Sequence, residues 1–212
     1  MQSIDQSGEH TLEIRRSRFL GTVFPIESET DAKEKITEMR RLHPDAAHCC
    51  YAYILEGEQP IQRFSDDGEP SGTAGRPMIE VLQKNGLSHV LAVVVRYFGG
   101  IKLGAGGLVR AYGRAIGAAL ENTAFVDAQR RRRLTIHLPH GDAARMESWL
   151  QNRAVIVERT YNAGGARLRI DLLDEEGSFE ARLLEATAGT ASIRDEGSYV
   201  AFPRRVSREQ SL

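Results

Sequence analysis

Apolar positions recur along this chain at changing intervals, and each interval predicts a different element. From Leu12 to Phe24, charged and apolar residues interleave as in a strand or the start of a hairpin. Ala32 to Leu42 is polar but carries Ile36 and Met39 at helical spacing. Thr30 or Asp31 is placed to cap that helix, and His43-Pro44 stops it, because the residue before proline is pushed out of the helical region. Cys49 to Leu55 reads as a strand. Thr73 is the expected cap of a second helix, with Pro77 in its first turn, an apolar stripe of Met78, Ile79, Val81 and Leu82, and Asn85-Gly86 at its end. Leu87 to Phe98 is apolar without alternation, which predicts a buried strand. A glycine-rich turn follows. Leu108 to Leu120 then reads as a helix whose Ala111, Gly113, Ala115, Gly117 and Ala118 let it lie close to a sheet.

The pattern changes at the polar run Asp127 to Arg133, which places a domain boundary after residue 127. Beyond it come a strand (Arg132 to Leu138), a helix (Ala143 to Asn152) and two strands joined through Asn162-Ala-Gly-Gly165. A helix (Ser178 to Ala188) and a last strand within Thr190 to Ala201 complete the order β-α-β-β-α-β, that of a ferredoxin-like domain over 128–203. Residues 204–212 read as a mobile polar tail.

Composition narrows the function classes. The 212 residues are 41% apolar and 27% charged, ordinary values for a globular protein. With 28 Lys and Arg against 29 Asp and Glu, the net charge of −1 argues against a general polyanion binder but leaves room for a local basic patch. Up to residue 127 there are 14 basic and 17 acidic residues; the remainder holds 14 and 12. No long apolar run and no signal-like start are visible, and the two cysteines, Cys49 and Cys50, are adjacent. The expectation is a cytoplasmic protein without a membrane or a disulfide framework.

Two segments carry candidate chemistry. In Arg96-Tyr-Phe-Gly-Gly-Ile-Lys-Leu-Gly-Ala-Gly-Gly-Leu-Val-Arg110, five glycines sit among cations between strand and helix. Outward backbone N–H groups of Gly99, Gly100, Gly104, Gly106 and Gly107, with Arg96, Lys102 and Arg110, suit an anion. Close packing at a sharp corner explains the same glycines, and the spacing is neither a P-loop nor a dinucleotide fingerprint. The second segment runs from Arg63 through Asp66, Asp67, Glu69, Ser71 and Thr73 to Gly75. Its acids suit a hard cation, acid–base work or a basic partner; they equally suit a turn. His43, His48 and the cysteines match no structural zinc spacing. Arg130 to Arg133 is a basic run at a strand entry. No residue is assigned to catalysis or to a metal, and no cofactor is expected.

Taken together, Asp66 to Gly75 and Arg96 to Tyr112 closely resemble the signature of the Impact/YigZ family, with Arg16-Ser-Arg-Phe19 and His43-Pro-Asp-Ala-Ala-His48 as earlier landmarks. Cys49 is a small departure from that pattern. The resemblance implies an α+β chain. Its first domain would be of the ribosomal-protein and elongation-factor-domain-IV type, an α/β sandwich with helices on one face of a sheet. Its second would be similar to the last domain of elongation factor G. Eukaryotic relatives act in translational control by competing for an activator of an amino-acid-starvation kinase pathway, and they carry an extra N-terminal binding domain that the resemblance does not extend to here. The resemblance therefore implies a non-catalytic, translation-associated protein with RNA or the ribosome as partner. Arg63, Arg96, Lys102 and Arg110 would contact phosphate, and Tyr97 and Phe98 would stack. The alternatives are an enzyme or binding protein for a phosphorylated or nucleotide-like small molecule, and a protein-interaction module using the acidic loop. Oligomeric state is not legible.

Overall fold

The computed structural model describes residues 2–57, 59–173 and 178–202. It divides into two units, residues up to Ala128 with Phe202, and Gln129–Ala201. The first unit contains β1 (Gln2–Ile4), β2 (Gly8–Ile14), β3 (Ser17–Pro25), α1 (Glu29–Leu42), β4 (His48–Leu55), β5 (Ile61–Ser65), α2 (Gly75–Lys84), β6 (Val90–Tyr97), α3 (Ala105–Leu120) and β7 (Phe125–Asp127). Five strands form one antiparallel sheet in the order β2-β3-β6-β4-β5, while β1 pairs with β7.

The continuous apolar run in β6 has a structural cause: this central strand is covered on both faces. Val90, Ala92 and Val94 pack under α2 and α3, in a cluster with Met78, Leu82, Ala111, Tyr112 and Ile116. Leu91, Val93 and Val95 point the other way, to Ala32, Ile36 and Met39 of α1. The single helical face expected from the resemblance is thus corrected to two, because α1 covers the second side.

Three helix starts differ from expectation for local reasons. The first helix begins at Glu29, capped by Ser28, whose Oγ accepts the Asp31 N–H at 3.1 Å. Asp31 reaches back past the cap, and its Oδ2 accepts the Glu27 N–H at 3.1 Å. The second begins at Gly75 and not after Thr73, since the N–H groups of Ala74 and Gly75 are held by Asp66 of the preceding loop. The third begins at Ala105, because Gly106 and Gly107 are helical instead of part of the turn.

The small residues of α3 do what their size suggests. At Gly21 a Cβ atom would lie 2.5 Å from the Ala115 carbonyl oxygen, and at Gly8 it would lie 2.4 Å from that of Ala119. Helix and sheet therefore meet backbone to backbone. Leu12-to-Phe24 is a hairpin whose two-residue turn, Arg15 and Arg16, has positive φ at both positions (46° and 65°), as a tight hairpin turn requires.

The second unit contains β8 (Gln129–Leu138), a 3₁₀ turn (His140–Asp142), α4 (Ala143–Leu150), β9 (Ala154–Asn162), β10 (Gly165–Leu172), α5 (Phe179–Ala186) and β11 (Ser192–Ala201). The sheet order β11-β8-β10-β9, antiparallel throughout, is the ferredoxin-like arrangement. Leu134, Ile136, Leu168 and Ile170 pack with Met146, Leu150, Phe179 and Leu183 of its helices. The tail 204–212 lies outside the described residues. Among the described residues, no helix is long and apolar enough to cross a membrane.

Adding a methyl at Gly21 forces apart two backbones. Gly21→Ala is expected to lose about 1–3 kcal/mol of stability, read by urea unfolding. Gly57→Ala, with open space around its position, should shift it by less than about 0.5 kcal/mol.

Candidate functional site

After β5 the chain turns through Asp67 (φ 43°) and Gly68 (φ 85°), held by the Glu69 N–H donating to the Asp66 carbonyl at 2.9 Å. The carboxylate of Asp66 then reaches forward to cap α2. Its Oδ1 accepts the N–H groups of Ala74 and Gly75, both at 2.9 Å, and its Oδ2 accepts that of Gly72 at 2.8 Å. Burial alone would raise the Asp66 pKa, but these three donors outweigh it and hold the carboxyl below its ordinary value. Asp67 fastens the loop sideways. One oxygen accepts the Cys49 N–H at 2.7 Å, and the other pairs with Arg40 of α1 at 2.8 Å.

Glu69 points inward. Its Oε1 lies 2.6 Å from Arg96 Nη1, and both side chains are almost sealed from solvent, with 3% and 5% exposed. The Tyr112 hydroxyl donates to the same oxygen at 2.7 Å, and its ring meets Phe19 edge-on. Nη2 of Arg96 lies 3.4 Å from Ser17 Oγ, which also accepts the Gly99 N–H at 3.1 Å. The Cys50 thiol faces two acceptors, the Asp66 carbonyl at 3.0 Å and Tyr112 Oη at 3.4 Å. Burial pushes the Cys50 thiol and the Tyr112 phenol well above their ordinary pKa values. His48 fills the remaining side, with Nδ1 2.8 Å from the Asp67 carbonyl and Nε2 3.9 Å from Glu69. One buried ion pair therefore ties the acidic loop to the strand that enters the glycine turn.

The glycine turn has separate demands at separate positions. A Cβ on Gly99 would fall 2.0 Å from the Arg16 carbonyl carbon, so Gly99 is there to let the β2–β3 hairpin approach. Gly100 and Gly104 have positive φ, 84° and 73°. Gly104 occupies the N-cap position of α3, and among the described residues no side chain caps this helix. Beside this uncapped start is a groove of about 190 Å³ lined by Arg15, Leu103, Arg110 and Arg114. Arg15, Lys102, Arg110 and Arg114 are all exposed, and among the described residues none of them forms an ion pair.

The residues singled out in the sequence thus fall into groups. Asp66, Asp67, Glu69, Thr73 and Arg96 make internal bonds; the Thr73 hydroxyl donates to the Pro70 carbonyl at 2.6 Å. Lys102, Gly104, Gly106, Gly107 and Arg110 gather at the start of α3, after Gly99 and Gly100. Tyr97 lies on the α1 side of the sheet, 2.8 Å from His43 Nδ1 and under Arg18. Arg63 is exposed on β5 and donates to the adjacent Gln62 carbonyl, and Ser71 is exposed in the loop. Sequence reasoning overlooked Arg15 and Arg114 in the groove and gave Tyr112, Cys50 and Ser17 no part in a buried network. Arg114 was within reach, four residues after Arg110 on one helical face. Among the described residues, no three His, Cys, Asp or Glu side chains are arranged to hold a metal ion.

Comparison with known proteins bears on this geometry. Residues 15–120 match the Impact N-terminal domain. The chain is 34% identical over 194 residues to the IMPACT family member YvyE of Bacillus subtilis, covering 91% of this chain and 89% of that protein. The chain belongs to the IMPACT family. The family member YigZ of Escherichia coli is 46% identical over 110 residues, 51% of this chain and 54% of its own length. A solved structure described as that of a hypothetical protein superposes with a TM-score of 0.69 at 32% identity, covering 91% of this chain and 95% of the other. The family match from residue 15 to 120 includes every residue of the Glu69–Arg96–Tyr112 network and all four unpaired cations.

Two outcomes test the site's construction. Glu69→Ala strands the buried Arg96 guanidinium and is expected to cost about 3–5 kcal/mol, measured as a fall in unfolding free energy; a loss below about 1 kcal/mol would contradict the pair's structural role. The Asp66 carboxyl is depressed in the folded protein, so its contribution is complete above an unfolded-state pKa of about 3.9. That contribution is lost as pH falls through the lower folded value. Asp66→Asn replaces one accepting oxygen by a donor facing a backbone N–H, so it should be less stable than the parent by about 1 kcal/mol at neutral pH, and the gap should close on acidification below pH 4.

Proposed function

We propose that this chain is a non-catalytic, translation-associated binding protein that holds RNA phosphates in the groove between the β2–β3 turn and α3. The observation that carries the reading is the charge balance there. Arg15, Lys102, Arg110 and Arg114 are exposed and, among the described residues, have no carboxylate partner and stand beside a helix start that no side chain caps. Helix N-termini and cations both favour phosphate. Phe98, half exposed on the same turn, offers a surface for a base to stack on. The translation link is supported by the resemblance of the acidic-loop and glycine-turn motifs to a family active in translational control. On this reading the protein works in the cytoplasm, and its second unit is a module similar to the last domain of elongation factor G.

The enzyme alternative has less support. It asks Asp66, Asp67 or Glu69 to act on substrate or magnesium, and each carboxylate is already engaged in holding the loop. The same engagement weakens the acidic loop as a patch for a basic protein partner.

The test is salt-dependent binding of a short single-stranded RNA, followed by fluorescence anisotropy. Each lost phosphate contact lowers the slope of log affinity against log salt by about 0.7. The Lys102→Ala, Arg110→Ala double variant is therefore expected to bind more weakly, with a slope reduced by roughly 1.4 and unchanged folding. An unaltered slope, or parent binding indifferent to salt, would sink the proposal. Stabilisation by nucleotides with magnesium, but not by RNA, would favour the small-molecule alternative.

A further inference from the structure

The face of the second unit's sheet that points away from α4 and α5 is built as successive rungs across β10 and β8. Asp171 stands opposite Arg133, Arg169 opposite Thr135, and Arg167 opposite His137. The first rung is neutralised internally: Arg133 bonds both oxygens of Asp171, at 2.6 and 2.9 Å, and Tyr199 joins the same carboxylate. So is the second, where Glu196 accepts from Arg169 at 2.8 Å and from Thr135 at 2.7 Å. The third rung has no acid. Arg167 and His137 are exposed cross-strand neighbours and make no hydrogen bond or ion pair among the described residues. Ser192 of β11 flanks His137, and Arg194 follows two residues later on the same strand face.

The sheet opens into a groove of about 300 Å³ at this rung, lined by His137, Arg167, Asn162, Thr190 and Ser192. Two acids stand nearby, and neither pairs with Arg167 or His137 among the described residues. Asp142, which accepts from Thr190, is paired with Arg145 at 2.7 Å. Glu158 stands opposite Arg169 and accepts from Thr160 at 3.3 Å. A histidine and an arginine set side by side with no carboxylate paired to either favour an anion from outside.

We propose that this third rung is a phosphate-binding site, in which the Arg167 guanidinium grips two oxygens while Ser192 Oγ and the Asn162 amide donate to the others. The phosphate comes either from a small phosphorylated molecule or from the backbone of RNA; the chemistry is shared. The site lies on the second unit and does not depend on the α3 groove.

The test uses the full-length protein carrying Lys102→Ala and Arg110→Ala, so that failure here and failure of the first site are read separately. The His137 ring and the Ser192 amide are followed by NMR while inorganic pyrophosphate or a short single-stranded RNA is added. Saturable shifts at both positions are expected, and Arg167→Ala should weaken them on the order of 10-fold or more. Arg167→Lys should weaken them less, and a thermal melt checks that the variants stay folded. Shifts with pyrophosphate alone assign a small phosphorylated ligand; shifts with RNA as well assign the nucleic-acid backbone. No shift with either, or the same affinity in Arg167→Ala, overturns the site.

Discussion

The buried pairing of Glu69 with Arg96 is the constraint around which the first unit is organised. Two opposite charges almost without solvent are stable only if geometry and further hydrogen bonds offset their desolvation. Tyr112 of α3 donates to Glu69 and Ser17 of β3 accepts from Arg96, while His48 of β4 stands 3.9 Å from Glu69 and the rings of Phe19 and Phe98 lie over the guanidinium. Because the contributors come from β3, β4, α3 and the residue after β6, the pair fixes where the acidic loop, the central strand and the long helix meet. Both long motifs of the family supply a member of the network.

That arrangement sorts charge by sign. The acids of the loop are consumed by structure: Asp66 caps a helix, Asp67 holds a strand and α1, and Glu69 neutralises Arg96. The cations around α3 are left over. Near-zero net charge thus coexists with a local excess of positive charge, which is what an anion meets at the surface. The second unit repeats the logic on its sheet, where two rungs are neutralised and a third is not.

Close backbone contact sets the other limit. Gly8, Gly21 and Gly99 each stand where a Cβ would strike another backbone. Gly100 and Gly104 are needed for their positive φ, with nothing near the missing Cβ. The glycine turn therefore answers both readings of its composition, packing at one end and a tight path at the other. Its exposed part, from Gly100 to Gly106, is the part available to a ligand.

The elements and their order were legible in the sequence because hydrophobic period is a local property. The unbroken run in β6, the stripe of α2 and the β-α-β-β-α-β order after Ala128 all follow from spacing along the chain. Caps that reach across a loop were not legible: nothing near Gly75 says that Asp66, nine residues earlier, closes the helix. Nor was the covering of the second sheet face, since whether a polar helix such as α1 packs on a given side depends on the handedness of its connections. The chemistry of the charged residues was least legible of all. Arg96 and Arg110 are the same residue type in one motif. Only the tertiary structure decided that the first is buried against Glu69 and the second is free, because pairing and burial are set by which strands and helices meet, and not by neighbours in sequence.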